Sequence, residues 1–268
     1  MLEKKRSCAY CDGTTDLTNE HVIPECYVKT LGPTISIVKT PTEDKAIPNA
    51  QEIGDVCAVC NNGPLSLLDT DLVSLSQQYF SKIVHPGDRI RFSYDFDQLL
   101  RLVLKLGYNV ARTRGWPLGV FKEARQYILG REKCPQGLHL FLQLLIPTPA
   151  KDCRYTVPPG TQEIPPLPWH AELRDVSGFP GLASEFSISF ISYRFFAVQE
   201  DPSVSSAIRK ASLKAWLKDN KGTHELSDVG HSVVHSSCVS VVEVLEKDPA
   251  FENQLAKAIE LKKKMARG

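Results

Sequence analysis

Four of the eight cysteines fall into two pairs at metal-knuckle spacing, Cys8-x-x-Cys11 and Cys57-x-x-Cys60. A CxxC turn points two thiolates at one ion, and two such turns close a tetrahedral site of the structural zinc type. A thioredoxin-like redox pair is the competing reading, but neither CxxC sits in a βαβ pattern. Between the pairs lies Leu17-Thr-Asn-Glu-His-Val-Ile-Pro24, which sets Glu20 beside His21. Imidazole titrates near neutral pH and can take a proton from water, and a carboxylate is a donor for a hard cation such as Mg²⁺. On a strand these two side chains point to opposite faces, so one site can use both only if the chain bends or a loop carries them. Directly after the second pair come Asn61 and Asn62, which suit a helix cap or an amide-oxygen ligand. Cys26, Cys134, Cys153 and Cys238 have no partner at ligand spacing and read as small buried side chains. His231 and His235 near Cys238 lack a fourth ligand.

The elements that must position these groups divide the chain in two. Residues 1–62 are rich in turn formers and poor in apolar runs, so this part needs a metal to hold it, and metal loss should unfold it first. From Pro64, Leu65, Leu68, Leu72, Leu75 and Phe80 recur at helical spacing, which predicts a helix starting just after Asn61-Asn62-Gly63. "FDQLLRLVLKLGYNVARTRG" predicts a long helix stopped near Gly115, and "GVFKEARQYILG" another stopped at Gly130. "LHLFLQLLI" fits a strand or a buried helix, while "SEFSISFISYRFFAV" and "SVVHSSCVSVVEVL" read as strands. "PSVSSAIRKASLKAWLKD" reads as a helix, and a last helix follows the Asp248-Pro249 cap. The expected fold class is α+β, with a metal module followed by a larger mixed region.

In order, the first CxxC, LTNEHVIP, Leu31-Gly32 and "VCAVCNNGPLSLLD" resemble the zinc-stapled subgroup of HNH endonucleases, over roughly residues 5–75. That resemblance implies a ββα-metal fold in residues 1–84, with 85–268 as a substrate, partner or sensor region. It implies that Cys8, Cys11, Cys57 and Cys60 hold a structural Zn²⁺, that Glu20 and Asn62 hold a catalytic Mg²⁺ or Mn²⁺, and that His21 activates water. Asn61 stands as the alternate to Asn62. Asn49 is the candidate for the middle asparagine that braces the histidine loop. The family often carries His where this chain has Asn at the third position.

Composition bounds the rest. The 268 residues are 42% hydrophobic with a formal charge of +1, enough apolar material for a substantial core. The first residues carry charge without an apolar stretch behind it, and the longest apolar run is too short to cross a bilayer, so a cytoplasmic protein with reduced thiols and no membrane partner is expected. Residues 80–134 hold eleven Lys and Arg against five acids. A phosphate backbone would suit that excess, with Arg101, Lys105, Arg112 and Arg114 as candidate contacts. The leading expectation is therefore a metal-dependent endonuclease acting on DNA. A non-catalytic zinc-stapled module that binds nucleic acid or protein is the alternative. By analogy with bacterial host-defence effectors, the C-terminal region would take a homodimer or regulatory partner.

Overall fold

The computed structural model describes residues 6–30, 36–39, 44–47, 51–153, 162–167, 169–228, 232–235 and 238–241. Strand β1 (Leu17–His21) leads through the short helix α1 (Glu25–Thr30) to the hairpin β2 (Ser36–Lys39) and β3 (Asp44–Ile47), and then to β4 (Glu52–Cys57). β1 and β4 pair antiparallel with Leu17 opposite Cys57 and His21 opposite Glu52. The register slips between Thr18 and Glu20, as an extra residue on β4 produces.

Helix formation begins earlier than the sequence predicts. α2 (Ala58–Cys60) starts inside the second CxxC, and the chain stays helical through a wide turn (Asn61–Leu65), α3 (Ser66–Leu75) and a second wide turn (Ser76–Phe80). The expected asparagine turn survives only as a kink: Gly63 has non-helical angles, and Pro64 lacks the N–H that would continue the ladder. Leu65, Leu68, Leu72 and Phe80 are buried as their spacing requires, while Leu75 is half-buried.

β5 (Ile90–Ser93) precedes the longest helix, α4 (Phe96–Arg114). Its Asp95 cap accepts the Gln98 N–H at 3.0 Å, and Gly115 ends it in the left-handed conformation. The next helical stretch is broken at Ala124 into α5 (Gly119–Glu123) and α6 (Arg125–Ile128). The apolar run at 138–146 is a strand, β6 (Leu138–Ile146). After the short β7 (Thr148–Pro149), a 3₁₀ turn (Ala150–Asp152) and β8 (Glu163–Ile164) come β9 (His170–Arg174), β10 (Leu182–Phe190), β11 (Tyr193–Glu200), α7 (Ser206–Asp219), β12 (Thr223–Leu226), β13 (Ser232–His235) and β14 (Cys238–Ser240). The helix expected after Asp248 and the side chains of His231 and His235 lie outside the described residues.

The main sheet runs β12-β6-β11-β10-β9, all antiparallel, and β14 joins β6 in parallel. Alternation sorts its two faces. Leu140, Leu142, Leu144, Phe186, Ile188, Phe190, Phe195 and Ala197 belong to the large core, which is the α4 side. Phe141, Phe196 and Val198 pack on the other face with Trp216 of α7. The large core runs without a break from Cys8 and Tyr10, through α3 and α4, to Leu226, so buried apolar contact crosses the expected boundary at residue 84. No described helix is long and apolar enough to cross a membrane.

Two features of this frame are open to measurement. A Cβ on Gly107, in the middle of α4, would sit 2.5 Å from the Phe121 ring and 2.9 Å from Phe186. Gly107→Ala should therefore destabilise by about 1–3 kcal/mol in urea titration, although alanine is the better helix former by about 1 kcal/mol. His139 Nδ1 lies 2.8 Å from Glu225 and its Nε2 lies 3.5 Å from Glu200. The bond to Glu225 raises the imidazole pKa above its ordinary 6.5. Such a shift stabilises the fold fully below the unfolded pKa, and the gain is lost as pH rises through the folded one. The melting-temperature gap between wild type and His139→Gln should accordingly be wider at pH 5.5 than at pH 8.5.

Candidate metal centre and its surroundings

The backbone brings the two knuckles together before any metal is considered. Ala9 N donates to Asp55 O at 2.8 Å and Ala58 N to Asp16 O at 2.8 Å, which ties the first CxxC to β4 and the start of α2 to the approach of β1. Within the first knuckle, Asp12 N donates to Cys8 O at 2.9 Å and Cys8 N to Gly13 O at 2.6 Å, with Asp12 at positive φ. As a result Cys8, Cys11, Cys57 and Cys60 place their sulfurs within 4.8 Å of one another, and Cys11 and Cys57 are 3.6 Å apart. Tetrahedral thiolates at about 2.3 Å from an ion stand about 3.8 Å apart, so the four cysteines are positioned to bind a metal ion. The protons tell the same story. Burial pushes the Cys8 thiol up, but the amides of Cys57, Cys11 and Tyr10 outweigh it and bring the pKa down to about 7. Burial raises Cys11 and Cys60, and neighbouring thiols raise Cys60 further. Cys8 therefore yields its proton most easily, and a cation must displace the protons of Cys11 and Cys60.

One face of α4 holds this module in place. Lys105, Tyr108, Asn109 and Arg112 follow each other at helical i, i+3, i+4 and i+7 spacing; the first three are buried, and Arg112 keeps only 7% of its side chain exposed. Tyr108 donates to Ala9 O at 3.0 Å, and Arg125 and Gln126 reach Ala9 O and Tyr10 O at 3.1 and 3.2 Å. Asn109 spends its whole amide: Oδ1 accepts from Tyr10 at 2.7 Å and Arg112 at 2.6 Å, while Nδ2 donates to Glu20 Oε1 and His21 O at 3.2 Å. Arg112 pairs with Asp55 and lies over the rings of Tyr10 and Tyr108. Lys105 Nζ is 2.8 Å from Glu20 Oε1, also pairs with Asp69, and reaches Leu65 O at 3.3 Å.

Several expected site residues therefore stand elsewhere. Glu20 is 3% exposed and faces inward, whereas His21, on the other face, has 31% of its side chain exposed. Glu20 is held under α4 by Lys105 and Asn109, while the His21 ring lies on the solvent side beside Glu52. Asn61, not Asn62, touches β1: its amide donates to Thr18 Oγ1 and to Asn19 O, each at 2.9 Å. Asn62 is exposed, and its carbonyl accepts from Ser66. Glu20, already bound by an ammonium and an amide, and the outward Asn62 do not fit a divalent cation between them. Asn49 lies outside the described residues.

The expected phosphate contacts need correction as well. Lys105 is buried against Glu20, and the Arg112 side chain, 7% exposed, is paired with Asp55, so neither faces outward. Arg101 bonds Ile128 O at 3.1 Å and lies near Asp97, and Arg114 bonds Ala171 O at 3.0 Å with its guanidinium over Trp116.

The sequence reading missed Glu52, Asp55, Asp69 and Asn109. Polar residues recurring at helical spacing inside the apolar α4 were the one signal available for Asn109. Glu52 shares His21's exposed face: its Oε1 is 3.4 Å from His21 Nε2, and Asn19 holds its Oε2 at 2.8 Å. Comparison of the chain with protein-family models, curated proteins and solved structures finds no match.

Because α4 and α6 grip the first knuckle, metal removal should reach beyond it. Treatment with a chelator is expected to release one metal per chain, to open residues 6–30 and 51–62 to protease, and to lower the melting temperature of the whole protein. Metal release with an unchanged melting profile would contradict this coupling.

Proposed function

We propose that this chain is an HNH-type endonuclease in which Zn²⁺ on Cys8, Cys11, Cys57 and Cys60 staples a ββα module and His21 is the general base against a DNA phosphodiester. The carrying observation is the arrangement itself. β1 and β4 form an antiparallel pair, a helix follows directly, the four sulfurs converge at the knuckles, and a solvent-facing imidazole stands at the end of the first strand. Zinc is the natural occupant, because four thiolates form a soft, closed tetrahedral set.

His21 has the surroundings a base requires. Glu52 beside Nε2 favours the tautomer with its proton on that nitrogen, leaving the Nδ1 lone pair for a water proton. As water attacks phosphorus, its proton passes to the imidazole and the ester P–O bond breaks, the departing alkoxide taking a proton from solvent; Glu52 stabilises the imidazolium while Asn19 steadies the carboxylate. The Asn109 bond to the His21 carbonyl and the Asn61 bond to the Asn19 carbonyl fix the backbone on both sides of Glu20. Glu20, held by Lys105, and the outward Asn62 do not fit Mg²⁺ or Mn²⁺ between them.

A second reading is a non-catalytic zinc-stapled module that binds nucleic acid or protein. The observation in its favour is the capture of Glu20 by Lys105. Supercoiled plasmid incubated with the zinc-loaded protein, with and without added Mg²⁺ or Mn²⁺, separates the two. Nicking by wild type that falls at least a hundredfold in His21→Ala, with DNA binding and zinc content retained, supports the enzyme. Equal nicking by both removes His21 as the base, and binding without nicking by wild type supports the module.

A further inference from the structure

Two carboxylates from different elements converge on one buried point, and the cation at that point belongs to the protein. Glu20 comes from β1 and Asp69 from α3, and both contact Lys105 Nζ. Lys105 is fully buried and Glu20 almost so, while Asp69 keeps about a quarter of its side chain exposed. The Leu65 carbonyl, 3.3 Å from the same nitrogen, adds a third oxygen. Three oxygens around one point, two of them carboxylate, make the donor set a hard divalent ion takes. Here an ammonium takes it.

We infer that Lys105 is the resident cation of the Glu20–Asp69 pair, and that its side chain excludes Mg²⁺ or Mn²⁺ from a site these oxygens would otherwise form. The argument is one of space and charge. Glu20 Oε1 receives both Lys105 and Asn109, at 2.8 and 3.2 Å, so the pair has no room for an ion that keeps several of its waters. Leaving two carboxylates facing each other in a buried site without a cation is costly, so one positive charge has to be there. A lysine supplied by a helix outside the module provides it permanently, where a bound ion would come and go with concentration. The residue expected to ligate the catalytic metal thus becomes an anchor for α4.

Titration of the zinc-loaded, full-length protein with Mn²⁺, read by electron paramagnetic resonance of the free ion, tests this independently of any reaction. Wild type should show no Mn²⁺ site that Glu20→Gln removes. Lys105→Met removes the ammonium, ends one atom short of its place and so vacates the point, and it should gain one Mn²⁺ per chain, bound at least tenfold more tightly than by wild type. The double variant Lys105→Met/Glu20→Gln should lose it again. Lys105→Gln is the second variant should the methionine protein not fold. One tight Mn²⁺ on wild type that Glu20→Gln abolishes overturns the inference, and so does a folded Lys105 variant that gains none. Failure to nick DNA would overturn the nuclease reading and leave this result untouched, because the readout is metal occupancy.

Discussion

A charged lysine in an apolar interior is tolerated only where anions meet it, and that requirement fixes how α4 lies against the rest of the molecule. Lys105 needs Glu20 and Asp69, which come from a strand and a helix of the N-terminal part. Once its ammonium is placed, Tyr108, Asn109 and Arg112 on the same helix face fall opposite Ala9, Tyr10 and Asp55. The opposite side of α4 meets the leucines and phenylalanines of the main sheet. One helix therefore serves as floor for the metal module and as cover for the sheet, and the two parts share a core.

This arrangement changes what the four cysteines have to do. A free-standing finger of this size would depend on its ion for most of its stability. Here the first knuckle also has its carbonyls bound by Tyr108, Arg125 and Gln126. An ion on the four cysteines would be one of two fastenings on the same loop, and both act on the strand that carries His21. The polar stripe orients that strand from beneath and leaves the imidazole face to solvent. Glu52 then gives the exposed histidine a carboxylate neighbour without drawing on the buried charges.

Much of the frame was legible in the letters. The Cys8, Cys11, Cys57 and Cys60 spacing announced a single cluster, and the end of α4 at Gly115 could be read directly. β6 remained undecided between strand and helix, since a fully apolar run has no period to separate them. Pro64 misled for a physical reason: it suits a first helical turn, but a kink at Gly63 lets the helix run through it from Ala58. The fate of the charges was the least legible part. Arg and Lys in 80–134 read as surface because lone basic residues seldom go inside, and their partners Asp55, Asp69 and Glu20 are distant in sequence. Pairwise burial of that kind leaves no local pattern.

β1 and β4 are neighbours in space but are separated by α1 and a second hairpin, so their pairing encloses about thirty residues of chain. Closing a loop of that length costs chain entropy before any ladder bond rewards it, which makes this pairing a late event relative to the local turns of α3 and α4. Sulfurs on either side of the loop, Cys11 before β1 and Cys57 at the end of β4, give an ion a way to close it early. An ion held there would tie the two ends of the loop to each other, so the strand pairing and the sulfur cluster reinforce one another.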